Sequence, residues 1–261
     1  MKHKLALPLI AFSFAIGGCA TSSMPAATAP VSDAAKPKAV TLSYQQGEVL
    51  SYVLITGKDT DAAKAARKTY YDTAFPLADQ YGLRRDLNLA VPQQLVGKYK
   101  ADAMAIFSYP DAASLKRLNA TTEWPAIKAL RPKAWDELAI FTQTLEQPLE
   151  ITFDPDKIYT LAVAEIKPGV PDDYNKYMKG IEPGLNEMGG RFVYRMINPS
   201  IEAHRHTYDP QVQVTMVEWD TPEALAGFTK SPGYKANSKY FTSGVSGFSF
   251  FQIAPRTPTS S

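Results

Sequence analysis

The sequence predicts an α+β protein made of two copies of one β-α-β-β-α-β unit. Apolar, β-branched segments alternate with stretches of helical spacing in the same order twice. Similar residues also recur at one offset. Tyr109 and Trp219, Leu115 and Leu225, Leu118 and Phe228, Trp124 and Tyr234, and Phe141 and Phe251 all stand 110 apart. Finally, 261 residues at 45% hydrophobic composition can bury two ordinary cores.

The second copy is the better patterned. Lys157 to Ile166 reads as a strand ended by Pro168-Gly169, and Asp172 to Met188 as a helix. That helix carries Tyr174, Tyr177, Met178, Ile181 and Leu185 on one stripe and stops at Gly189-Gly190. Arg191 to Asn198 and Val212 to Trp219 are the middle strands. Asp220-Thr221-Pro222-Glu223 caps a second helix with an acidic first turn, and Ser246 to Ile253 is the last strand. In the first copy the strand Val49 to Thr56 leads to a helix, Asp61 to Tyr81, which Gly82 stops. Leu83 to Leu95 and Lys100 to Tyr109 are its middle strands. Asp111 to about Ala134 is helical with breaks at Pro125 and Pro132, and Glu137 to Thr144 closes the unit. Gly82 and Gly190 are 108 apart, which leaves room for one small indel.

The amino terminus is of another kind. A basic start, Lys2 and Lys4, precedes an apolar run from Leu5 to Ile16 that would span roughly 18 Å as a helix, short of a ~30 Å hydrocarbon core. This is the pattern of a secretory signal rather than a membrane span. Ile16-Gly17-Gly18-Cys19 resembles the bacterial lipobox, with Ile in place of the usual Leu, and the resemblance implies acylation of Cys19. Ala20 stands where an Asp would signal inner-membrane retention, so the resemblance implies an outer-membrane anchor facing the periplasm. The stretch from residue 19 to 41, rich in Ala, Ser, Thr and Pro, reads as a disordered tether, and residues 255–261 as a disordered tail. The two units are then bounded as 42–150 and 151–254.

Charge narrows the partners. Without Lys2 and Lys4, 26 basic residues face 26 acidic ones, so no bulk field recruits nucleic acid. Cys19 is the one cysteine, which excludes an internal disulfide.

The repeated unit resembles the ferredoxin-like subunit of the dimeric α+β barrel superfamily, and residues 157–253 are most similar to domain of unknown function 1330. The residues carrying this are Tyr159, Glu187-Met188-Gly189-Gly190-Arg191-Phe192, Glu218-Trp219 and Ser231-Pro232-Gly233-Tyr234. Members generally pair two such sheets face to face. With the partner covalently present, the resemblance implies an intramolecular barrel and a monomer.

Candidate chemistry lies in few places. His204 and His206 share the segment Glu202 to Tyr208, and extended geometry would put Glu202, His204, His206 and Tyr208 on one face. That set suits a general base beside a Tyr acid, or less readily a metal; a solvated hairpin is the bland alternative. Arg191 and Arg195 share strand parity and would point between the sheets, where they could clamp an anion or bridge to Glu165 or Glu218. Arg84 and Arg85 repeat that possibility. Tyr159, Trp219, Trp124 and Trp135 are pocket aromatics or core. The helices carry no histidine, against the axial ligand of related haem enzymes, and no phosphate loop or nucleophile elbow occurs. No cofactor or metal is therefore expected. The first functional expectation is a membrane-anchored lipoprotein that holds a small anionic or aromatic ligand between its halves. The alternatives are a cofactor-independent enzyme using His/Tyr acid–base chemistry, as a lyase on an acidic sugar, a monooxygenase or an isomerase, and an envelope structural partner.

Overall fold

The computed structural model describes residues 38–97 and 99–256. Cys19, the signal segment, most of the tether and the end of the tail lie outside the described residues. Among those described, no helix is long and apolar enough to cross a membrane.

The described residues open with β1 (Val40–Tyr44), so Val40 and Thr41, read above as tether, belong to the fold. The first unit follows as β2 (Val49–Gly57), α1 (Asp61–Asp79), β3 (Arg84–Val96) and β4 (Ala103–Tyr109). Three short helices, α2 (Ala112–Asn119), α3 (Trp124–Lys128) and α4 (Arg131–Ala134), then lead to β5 (Trp135–Thr144). Pro125 and Pro132 each sit in a first helical turn, where a missing N–H is harmless, and so divide one helix into three. After β6 (Leu149–Phe153), the second unit runs β7 (Ile158–Ile166), α5 (Pro171–Glu187), β8 (Gly190–Ile197), β9 (Ser200–His204) and β10 (Val212–Trp219). It ends with α6 (Pro222–Gly227), a 3-10 turn, α7 (Pro232–Gly244) and β11 (Val245–Pro255).

Nine strands form one antiparallel sheet in the order β8-β10-β7-β11-β3-β4-β2-β5-β9. Its two edge strands, β8 and β9, follow one another in the chain across Asn198-Pro199, so the sheet returns on itself as a barrel. The symmetry is direct. The 13-residue β3 pairs with β4 and then with β11 of the other unit. In the second unit the same long strand is broken into β8, pairing with β10, and β9, pairing with β5. Asn198 takes a left-handed φ of 47° at the break, and Pro199 cannot donate to a ladder. The two tandem units thus form an intramolecular α+β barrel.

Helices cover the outside and apolar side chains fill the inside. Leu54, Met104 and Phe141 from the first unit meet Leu161, Met216 and Phe251 from the second, all fully or almost fully buried. Every neighbouring ladder is antiparallel, so β2 and β7, four strands apart, run in the same direction and start at the same mouth. The ribbon β1–β6 closes that mouth by adding Tyr44, Ile151 and Phe153 to the interior. The opposite mouth is filled by Tyr99 and Tyr208.

Candidate functional site

The segment from Glu202 to Tyr208 does not keep one face. In β9, Glu202 stands opposite Ile140 and His204 opposite Leu138, both on the helix side of the first unit. Arg205 then takes a left-handed φ of 77°, a conformation that costs a non-glycine residue about 1–3 kcal/mol. The reversal sends His206 and Tyr208 to the barrel mouth and separates them from Glu202 and His204. The four-residue face expected from the sequence is therefore corrected to two pairs.

The first pair is tied to the helices. Glu202 Oε1 lies 2.9 Å from Arg131 and 3.1 Å from Lys128. Arg131 Nε donates to the Tyr70 hydroxyl at 3.1 Å, and its guanidinium stacks 5.6 Å from Tyr70 and 5.7 Å from Trp124. Burial raises the Glu202 carboxyl, but Arg131 and Lys128 together outweigh it and hold the group below its usual range. His204 Nε2 is 3.3 Å from the Trp135 carbonyl oxygen.

The second pair is better placed for chemistry. His206 Nε2 lies 3.0 Å from Glu165 Oε1, at the end of β7. A carboxylate can only accept, so Nε2 carries the hydrogen of this contact, and in the neutral ring the lone pair is on Nδ1. The other oxygen, Glu165 Oε2, accepts the Asp209 N–H at 2.9 Å and fixes the loop after His206. Ser246 Oγ donates to the Asp209 carboxylate and lies 3.1 Å from the Glu165 carbonyl oxygen. Gly247 stands opposite Glu165 in the β11–β7 ladder, and a Cβ there would come within 2.9 Å of Glu165 Cδ. Glycine is what leaves the carboxylate its position.

Aromatic rings wall the dyad. The His206 and Tyr208 centroids are 4.4 Å apart at 76°, and Tyr99 lies 6.2 Å from His206. Tyr208 also packs on Phe141 at 5.2 Å. Burial, then the charges of Glu165 and Glu137, push the Tyr208 hydroxyl far above its ordinary value, so it stays a proton donor. The Tyr99 hydroxyl is pushed up likewise by burial, Tyr208 and Glu137, and donates to the Leu54 carbonyl. A recess of about 370 Å³, walled by Ile166, Pro168, Gly169, Pro171, Pro210 and Gln211, begins one residue along the chain from both Glu165 and Asp209.

The other sequence candidates go elsewhere. A bulge in the β10–β8 ladder between Met216 and Val217 breaks the parity of β8. Arg191 therefore faces inward at the ribbon mouth, where it makes a two-point bridge to Glu218 at 3.0 and 2.9 Å. Arg195 turns out to the helix side, exposed, with its guanidinium 5.3 Å from Phe192. The expectation that both arginines point between the sheets is corrected, as is the shared face of Phe192, Tyr194 and Met196. Phe192 meets the helices, while Met196 and Tyr194 face inward. Tyr159 is buried, with its hydroxyl accepting the Asp154 N–H at 2.8 Å and lying 3.0 Å from Glu218 Oε2. Trp219 donates to Thr160 Oγ1 at 2.8 Å from within the outer core. Both are structural. Arg84 and Arg85 are bound by Glu48 and Asp79. Among the described residues no three His, Cys, Asp or Glu converge as a metal site. Sequence reading missed Glu165 as the partner of His206, since 41 residues separate them and only the sheet brings them together.

No protein-family model and no curated protein matches the chain. Solved structures similar to it include an anthrone oxidase-like protein, at 14% identity and a TM-score of 0.49, covering 84% of this chain and 97% of that one. A proposed monooxygenase from Lactobacillus acidophilus NCFM matches at 11% identity and a TM-score of 0.41, covering 81% and 95%. A mutant chlorite dismutase from Candidatus Nitrospira defluvii matches at 9% identity and a TM-score of 0.41, covering 81% and 93%. At these identities the likeness concerns the fold.

The first functional expectation, a lipoprotein binding a ligand between its halves, is overturned. The space between the halves is the packed apolar core of the barrel. The acidic-sugar lyase loses its carboxylate clamp, because neither Arg191 nor Arg195 stands beside His206. A broad docking face is equally unsupported: the large exposed apolar residues described are Tyr71 on α1, Val170 in the loop before α5 and Ile197 at the end of β8.

Proposed function

We propose that this protein is an enzyme that removes a proton from an organic substrate at the barrel mouth opposite the ribbon. The observation that carries the reading is the His206–Glu165 contact of 3.0 Å. Glu165 fixes the tautomer and orientation of the ring, His206 Nδ1 accepts the proton, and Glu165 balances the imidazolium that results. Tyr208, kept protonated, is the facing hydrogen-bond donor. No step here calls for a cofactor. Oxygenation of an electron-rich aromatic is the class that the names of the similar structures suggest testing first; proton removal rests on His206 and Glu165 alone. An acylated Cys19 is part of the same proposal, supported by the segment Ile16 to Cys19.

The test uses the full-length chain with phenolic and enolisable substrates, following oxygen uptake and exchange of substrate hydrogen with deuterated solvent. His206→Gln should lower the rate about 10²–10⁴-fold, the usual contribution of a positioned base. Turnover that survives this substitution unchanged would falsify the assignment.

A further inference from the structure

We infer that the His206 site selects substrates by charge, taking neutral or cationic aromatic molecules and rejecting anionic ones. The inference rests on the reading of His206 as the base. Three carboxylates on three different elements adjoin it. Glu165 touches His206 at 3.0 Å from the end of β7, and Asp209 follows on the same loop, its N–H bound to Glu165 at 2.9 Å. Glu137 on β5 stands opposite Thr56 and shares the strand parity of Ala139 and Phe141, which face the interior, and its charge raises the hydroxyls of both Tyr99 and Tyr208. Among the described residues the nearby cations are engaged or turned elsewhere: Arg205 leads out of the site to Asp136 at 3.5 Å, Lys167 Nζ donates to the Thr242 carbonyl at 2.8 Å, Lys100 on the Tyr99 loop is exposed, and Arg191 is bound to Glu218 at the other mouth.

A substrate carboxylate would thus meet three like charges beside low-dielectric aromatic walls, where screening by water is weakest. An uncharged ring meets no such repulsion at Tyr208, which packs edge-to-face on His206 at 4.4 Å and on buried Phe141 at 5.2 Å and lies tilted against Tyr99 at 6.3 Å. An ammonium group on that ring would add attraction to the carboxylates and to the ring faces. The proton leaves a substrate O–H or activated C–H for Nδ1, and no other bond changes. The anion formed lies against the new imidazolium, so the charge created in the step is balanced inside the site while charge carried in beforehand is not.

Three phenols of one shape and different charge test this: tyramine, 4-ethylphenol and 3-(4-hydroxyphenyl)propionate. Binding is read from the ¹⁵N and ¹³C resonances of the His206 ring in the full-length chain. At low salt the propionate should bind at least about tenfold more weakly than tyramine, with the gap narrowing in 0.5 M NaCl. Glu137→Gln should recover about fivefold for the propionate while leaving 4-ethylphenol unchanged. Propionate binding as tight as tyramine overturns the inference, as does a ranking that ignores Glu137. Should none of the three move the His206 resonances, both this inference and the base assignment fall. Should the ranking hold while His206→Gln keeps full turnover, the assignment of the base falls and charge selection stands.

Discussion

Closure of the barrel depends on β9 holding to the first unit, and Glu202→Ala is the substitution that measures it. Glu202 is a half-exposed carboxylate, with 49% of its side chain accessible, but Arg131 beneath it is only 8% accessible. A fully exposed pair would contribute about 0.2–1 kcal/mol, whereas leaving a buried charge without its partner costs about 3–5 kcal/mol. This pair lies between, and about 2 kcal/mol is the expected loss. For a folded region of this size that is a fall of about 4–8 °C in Tm, readable by circular dichroism. Lys128→Ala, which removes the more exposed of the two cations, should cost no more than about 0.5 kcal/mol. Acid supplies a second check. The Glu202 carboxyl is held below its ordinary value of 4.5, so its stabilisation is complete above that value and is lost as pH falls through the lowered one. The gap between wild type and variant should be constant from neutral pH to about 5.5 and shrink below. A loss under about 0.5 kcal/mol at pH 7, or a gap that widens on acidification, would refute the reasoning.

Gly247→Ala should displace the Glu165 carboxylate from His206 with less than about 1 kcal/mol lost in stability, because only a side-chain end must move. The rate should fall about 10–100-fold, the usual penalty for losing an orienting partner, and the His206 ring should lose its fixed tautomer by ¹⁵N NMR; full activity would show that Glu165 does not orient it. Tyr52 has a buried hydroxyl without a hydrogen-bond partner inside the barrel. Tyr52→Phe should therefore be neutral or stabilising by about 1 kcal/mol in urea unfolding, and a clear destabilisation would reveal an unseen partner. Phe141→Ala should open a hole in the shared interior and cost about 3–5 kcal/mol. A loss as small as that of a surface substitution would mean that the two units do not share one core.

Repetition and strand parity were legible in the sequence because they are local properties of the chain. Matched pairs such as Phe141 and Phe251 stand at corresponding places in β5 and β11, and the order β-α-β-β-α-β holds in each unit. Parity failed wherever a backbone irregularity intervened. The bulge opposite Met216 sent Arg191 and Arg195 to opposite faces, and the left-handed Arg205 parted His204 from His206. Neither residue type announces such a conformation. The short strands β1, β6 and β9 were missed for another reason. Their apolar residues are few, and their pairing partners lie far along the chain: β1 finds β6, and β9 finds β5 of the other unit.

By itself the sequence determined that the unit is duplicated, where the longer strands and main helices fall, and that two histidines lie between β8 and β10. Only the tertiary structure decided that the halves close on a solid interior, that His206 rather than His204 meets a carboxylate, and that the arginines stand elsewhere. The physical reason is range. Hydrophobic period is written over a few neighbouring residues, whereas the contact between His206 and Glu165 exists only after β7, β10 and β11 have paired.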